Sequence, residues 1–397
     1  MLTEELERQA SKFLMHTYAR LPLSIVRGKG CYVYDAEGRE YLDCVAGIAV
    51  NVLGHGHPDL ITAIEKQARQ LIHTSNLYYS EPQVNLARHL VELSFGDKVF
   101  FGNSGAEANE AAIKLARKYS TDTFGPERYE IITMKNSFHG RTLATLTATG
   151  QDKVQKGFAP LPVGFTYAEL NDIASIECRI TDQTAAVMIE PIQGEGGVTV
   201  ASRTFMEQLR ALCTQRKILL IFDEVQTGIG RTGTMFGYQH FGVHPEIMTL
   251  AKGLGGGLPI GACITTNEIA QAFGPGTHAS TFGGNPLVCA AALAVLRTLT
   301  EGGLLEKSRA VGAYLAKGLQ ELASRIPLIT DVRGLGLLQG IELSIDGKPL
   351  VQDCQARKIL INCTMERVLR FVPPLVITQS DIDRLLSVLS DVLNKRL

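Results

Sequence analysis

The chain has 397 residues, 45% hydrophobic and 20% charged, with a net charge of -1 at pH 7. This is ordinary soluble globular usage, ample for a large buried core in two domains or in one large α/β domain with an appendage. It excludes a basic field for nucleic acid and a polybasic membrane signal.

The first residues, Met1–Arg8, are acidic and lack the apolar core of a signal peptide, and no uninterrupted apolar run reaches membrane-spanning length. Eight scattered cysteines with no Cys-x-x-Cys read as reduced, mostly buried thiols. A cytoplasmic location is therefore expected, with no disulfide framework. No internal repeat or low-complexity segment is visible.

Alternation around an Asp…Gly turn predicts a hairpin over 30–41. From 98 to 265, apolar runs alternate with helical patterns. Strands are expected at 98–101, 129–134, 185–190, 218–222, 247–250 and 260–265, with helices at 106–119 and 205–217. Strands that are apolar throughout, separated by helices, imply an α/β fold whose mostly parallel sheet is covered on both faces. Helices follow at 286–299 and 304–323. Short strands near 329–333, 337–343, 358–362 and 368–372, then a helix at 380–395, describe an α+β module. Residues 55–295 are read as a large domain, and 1–54 with 296–397 as a smaller one built from both chain ends.

Four segments carry chemistry. In Phe101–Glu110, Ser104 with Glu107 fits a capping box, and the N–H groups of Gly105 and Ala106 would face a phosphate at a helix N-terminus. In Asn136–Thr142, Phe138 could stack on a flat cofactor and Arg141 could grip a carboxylate. Asp223 ends an apolar strand, with Gln226 close behind, where open α/β sheets bind ligands. Lys252 follows another apolar run and precedes a glycine cluster; buried there, it would deprotonate readily. Singly, each fits a plainer role: a capped helix, a core plug, a solvated arginine, a surface lysine. Together, the lysine and the strand-end acid are the polar minimum for pyridoxal 5'-phosphate (PLP). The amine forms a Schiff base, and the acid keeps the pyridine nitrogen protonated.

Two patterns are decoys. Gly228-Ile229-Gly230-Arg231-Thr232-Gly233 matches a dinucleotide fingerprint, but it is separated from the preceding strand and followed by a poor helix start. His55-Gly56-His57 has no companion ligands at metal spacing, so no metal site is expected.

Gly54–Pro58, Asn103–Glu110, Phe138–Thr142, Glu190–Gly197, Asp223–Gly228, Ala251-Lys252 and Ser280–Pro286 occur in this order along the chain. As a set they resemble the class III (ω-amino acid) aminotransferases of PLP fold type I, over nearly the whole chain. Ala106 departs from the frequent threonine, which removes one hydroxyl from the phosphate site. The resemblance implies that Lys252 is the Schiff-base lysine and proton shuttle. Asp223 would pair with the pyridinium, Gln226 with the ring oxygen, and Phe138 with the ring face. Ser104, Gly105 and Ala106 would hold the phosphate, joined by Thr281 from the second subunit of a homodimer. Tyr18, Arg141, Glu195, Ser280 and Arg370 would bind substrate.

Segments 17–20, 361–364 and 368–375 point within the class to members acting on N2-acetyl-L-ornithine, with 2-oxoglutarate as acceptor, in arginine biosynthesis. Succinylornithine, ornithine and 4-aminobutyrate are the alternative donors. PLP-dependent aminomutases, racemases, decarboxylases and a non-enzymatic PLP-binding regulator are the alternatives of other kinds.

Overall fold

The computed structural model describes residues 3–397. Its centre is a seven-stranded sheet. In spatial order the strands are Lys98–Gly102, Gly261–Thr265, Ile247–Leu250, Leu219–Asp223, Thr184–Ile189, Glu130–Met134 and Phe165–Ala168. Gly261–Thr265 runs antiparallel to both neighbours, and the remaining pairings are parallel.

The continuous apolar character of the inner strands has a direct cause: each face meets a separate core. Leu220 and Phe222 enter one cluster, while Leu219 and Ile221 enter the other. The helix Gly105–Phe124 contributes Ala111, Ala112, Ile113, Leu115 and Ala116 to the second. Side chains of a strand alternate in direction, so a strand covered on both sides must be apolar at every position.

The two chain ends meet in a second sheet. Ile25–Lys29, Tyr32–Asp35 and Glu40–Asp43 pair antiparallel, and Ile359–Leu360 adds parallel to the last of them. A third, antiparallel sheet contains Ile329–Leu335, Leu338–Leu343, Val368–Phe371 and Asn362–Thr364. The expected 358–362 strand is thus two short ones, divided at Ile361 between different sheets. All eight cysteines are free thiols.

After Asp223 the chain runs through turns to the short 3-10 segment Gly237–His240. No α-helix opens behind Gly228–Gly233, so this loop has no helix N-terminus to offer a dinucleotide. Among the described residues, no single helix is long and apolar enough to cross a membrane.

Candidate active site

Asp223 and Lys252 lie at the C-terminal ends of neighbouring parallel strands. Asp223 is in register with Thr249, and Lys252 begins the short helix just past Leu250. Both line one cavity of about 440 Å³. The lysine backbone is left-handed, at φ 42°. That conformation is uncommon outside glycine and is tolerated where the surroundings enforce it. Burial lowers the ammonium pKa from its ordinary 10.5, with Glu195 pulling against it.

Asp223 is held from three sides. Its Oδ2 accepts from Asn109 Nδ2 at 2.7 Å and faces His139 Nδ1 at 2.7 Å, while Oδ1 accepts from the Val225 N–H at 3.0 Å. Asn109 is fixed in turn, because its Oδ1 accepts from Thr249 Oγ1 at 2.6 Å. Burial lowers the His139 pKa, but its hydrogen bond to Asp223 and the charge of that group outweigh it, leaving a net rise above 6.5. Below this group, burial pushes Glu190 up to about 7, although the Phe138 and Gly194 N–H groups donate to it.

Asn109, His139 and Glu190 were not singled out as site residues from sequence. A signal was available for the first: Asn109 is one turn beyond Gly105 on a helix face otherwise filled by small apolar residues.

Ser104 is the N-cap of Gly105–Phe124, and its Oγ accepts from the Glu107 N–H at 3.1 Å. Only this half of the expected capping box forms. The Glu107 carboxylate goes to the backbone and side-chain N–H groups of Asn103 instead. Gly105 and Ala106 line the cavity at the positive end of this 20-residue helix. A Cβ at Gly105 would lie 2.8 Å from Val225, so this close approach requires glycine.

Phe138 and Val225 also line the cavity, and the Arg141 guanidinium lies 5.5 Å from the centre of the Phe138 ring. Gln226 is a further lining residue, and its Oε1 accepts from Arg370 Nη1 at 3.2 Å.

Arg370 is completely buried and does not itself reach the cavity. Nη1 pairs with Glu195 at 2.6 Å and donates to the Gly194 carbonyl at 2.9 Å; Nε donates to Asn362 at 3.3 Å. Nη2 has no partner among the described residues. Glu195 lines the cavity, so the ion pair separates Arg370 from it. Burial raises the Glu195 pKa, but Arg370 and Lys252 override it and hold the carboxyl below its usual range.

Three expected residues lie elsewhere in the single chain. Tyr18 is 68% exposed, and its ring is covered by Arg20 at 5.3 Å. Thr281 is exposed and, with Ser280, lines a different hollow. Ser280 is joined to the rim through its Oγ, which accepts from Asn103 Nδ2 at 3.2 Å.

The chemistry of this donor set fits PLP. It offers an open helix end for a phosphate dianion, an aromatic face, an acid with its own supporting donors, and an amine that loses its proton readily. Residues 13–393 match the family model for class III aminotransferases. The acetylornithine aminotransferase of Caldanaerobacter subterraneus subsp. tengcongensis is 54% identical over 97% of this chain and 98% of its own. The crystal structure of the ornithine aminotransferase of Toxoplasma gondii ME49 superposes with a TM-score of 0.96 at 34% identity, covering 100% of this chain and 96% of its own. That of the acetylornithine aminotransferase from Elizabethkingia anophelis gives 0.88 at 34% identity, with both chains covered completely. An acid and an amine on adjacent strand ends, in a chain matched to these proteins from end to end, place it in the class III aminotransferases, a PLP-dependent family of fold type I.

Proposed function

We propose that the protein transfers the δ-amino group of N2-acetyl-L-ornithine to 2-oxoglutarate, giving N-acetylglutamate 5-semialdehyde and glutamate. The reaction belongs to arginine biosynthesis and would run in the cytoplasm. The observation that carries the substrate logic is Arg370, fully buried and closed off from the cavity by Glu195. The 54%-identical relative bears this activity in its name, which supports the choice of donor.

Bound PLP supplies an aldehyde to receive the amino group and a ring that accepts electrons from the reacting carbon. The protein supplies the rest. Lys252 would hold the aldehyde and carry the proton to and from the reacting carbon. Asp223 keeps the pyridine nitrogen protonated, oriented by Asn109 and His139. Gln226 accepts from Arg370 through Oε1 and donates toward Glu195, and the second hydrogen of its amide would serve the ring oxygen. Phe138 would cover one ring face, and Ser104, Gly105 and Ala106 would receive the phosphate.

Thr281, exposed in the single chain, would complete the phosphate site of a second copy, making the active site a property of a homodimer. Ser280 and Tyr18 would join the substrate site in the same assembly. Residues 55–295 would form its cofactor-binding domain, and 1–54 with 296–397 the smaller one.

Charge explains how one site serves two substrates. An ω-amino donor carries no carboxylate beside its reacting carbon, so Arg370 must keep Glu195 as its counter-ion. Glutamate does carry one, which would displace Glu195 and take Arg370 for itself. The remote carboxylate of either substrate would meet Arg141 at the mouth. Breaking a buried pair by removing one charge costs several kcal/mol, because the other is left uncompensated.

Glu195→Gln should therefore slow the acetylornithine half-reaction about tenfold to a hundredfold while sparing the glutamate half-reaction. Single-turnover measurement of each half checks this, and equal rates in wild type and variant would remove the switch. The donor assignment itself is tested by the same measurement with N2-acetylornithine, N2-succinylornithine, ornithine and 4-aminobutyrate. A better rate with any of the last three overturns it. Product formed without consumption of 2-oxoglutarate would instead indicate an aminomutase, racemase or decarboxylase.

A further inference from the structure

Two arginines, Arg231 and Arg370, are among the largest fully buried side chains. Arg370 has Glu195 as counter-ion; Arg231 has no ionic partner among the described residues, and burial alone pulls its pKa down to about 9. Its Nε and Nη2 are without hydrogen-bond partners among the described residues. A guanidinium in this position is costly, and an apolar side chain of similar volume would fill the space more cheaply. Fold stability therefore does not account for it.

What Arg231 does hold is specific. Nη1 uses both of its hydrogens on carbonyls, those of Leu337 and Pro373. The Leu337 N–H returns a bond to the Arg231 carbonyl at 3.0 Å. The contact has no slack, since a Cβ at Gly336 would lie 2.3 Å from the Thr232 carbonyl carbon. Leu337 leads directly into the strand Leu338–Leu343, and Pro373 follows closely on Val368–Phe371. These two strands pair, with Gly340 opposite Arg370. At its other end, Arg231 lies on the loop that begins with Asp223 and Gln226. One guanidinium thus ties the cofactor loop to both strands around Arg370.

We propose that Arg231 is a positioning residue, fixing the spacing between the Asp223–Gln226 loop and the strand bearing Arg370, and so setting how well the site accepts a substrate with a carboxylate beside its reacting carbon. The proposal rests on the reading of Arg370 given above. The distances make it sensitive. Arg370 reaches Gly194 at 2.9 Å and Gln226 at 3.2 Å, and a shift of about 1 Å would break both contacts.

The test uses Arg231→Met and Arg231→Lys as full-chain holoenzymes, with Arg370→Lys as the reference. Both Arg231 variants should weaken the apparent affinity for glutamate about tenfold in single turnover, with the acetylornithine half-reaction and cofactor content unchanged. A proportional loss in both half-reactions, or no change in either, overturns the proposal. Where Arg370→Lys weakens glutamate and the Arg231 variants do not, this proposal fails alone. Where Arg370→Lys itself leaves glutamate untouched, the Arg370 reading falls and this one with it. Should Arg231→Met not fold, Arg231→Lys, which keeps the charge and a carbonyl donor, is judged by the same outcomes.

Discussion

Lys252→Ala is expected to lower turnover by about four orders of magnitude and to leave no cofactor covalently trapped by borohydride reduction. Two losses combine in this variant. The amine that would hold the aldehyde is gone, and so is the only lysine among the described residues that lines the cavity and could move a proton at the reacting carbon. Asp223 is occupied by Asn109, His139 and Val225, and Glu190 by the Phe138 and Gly194 N–H groups; Glu195 is engaged with Arg370 as long as no substrate carboxylate displaces it, so none of the three replaces the lysine in the acetylornithine half-reaction. Unchanged trapping by borohydride would refute the assignment outright.

The same lysine gives a stability signature without cofactor. Its folded-state pKa is lowered by burial, whereas an unfolded lysine keeps its proton up to about 10.5. The unfolded chain therefore binds more protons in that window, and cofactor-free wild type should gain stability as pH rises from the folded pKa toward 10.5. Lys252→Ala should lose this contribution, read as a flatter pH dependence of the urea midpoint.

Much of this site could be read from the chain because the relevant signals are local. Lys252 and Asp223 each follow a run of apolar residues long enough only for a buried strand, and parallel pairing then delivers both to one edge. Gly105 and Ala106 were legible through the capping pattern at Ser104. Other features depend on long-range packing and leave no local trace. The strand Phe165–Ala168 is partly exposed at the sheet edge and carries no buried run. The helices Pro58–Gln70 and Glu81–Leu93 are different: each carries a proline in its first turn and an amphipathic pattern, so both were open to a local reading.

Arg231 shows the same limit from the other side. The glycine pattern around it has no α-helix behind it, and nothing local reveals that the Arg231 side chain grips carbonyls more than 100 residues away. Glu195 and Arg370 were both expected at the substrate site through resemblance alone, and nothing local pairs them, since 175 residues separate the two.

Asp223→Asn should reduce both half-reactions about a hundredfold to a thousandfold while leaving the cofactor covalently trapped, which separates it from Lys252→Ala. An amide has the shape of the carboxylate but no charge to hold a proton on the pyridine nitrogen, so electrons leaving the reacting carbon lose their sink. Both halves must suffer because the ring serves both.

The neighbouring imidazole supplies an independent readout. Burial alone would lower the His139 pKa, and Asp223 reverses that to a net rise above 6.5. A raised folded-state pKa contributes stability that is fully present below 6.5 and is lost as pH rises through the folded value. Replacing the charge by an amide removes that contribution and leaves only the charge of Glu190 to oppose burial at the imidazole. The stability deficit of Asp223→Asn should therefore be largest below pH 6.5 and shrink above the folded pKa of His139. Rates that fall in only one half-reaction, or a deficit that grows with pH, would mean that Asp223 is not the charge that His139 and the ring share.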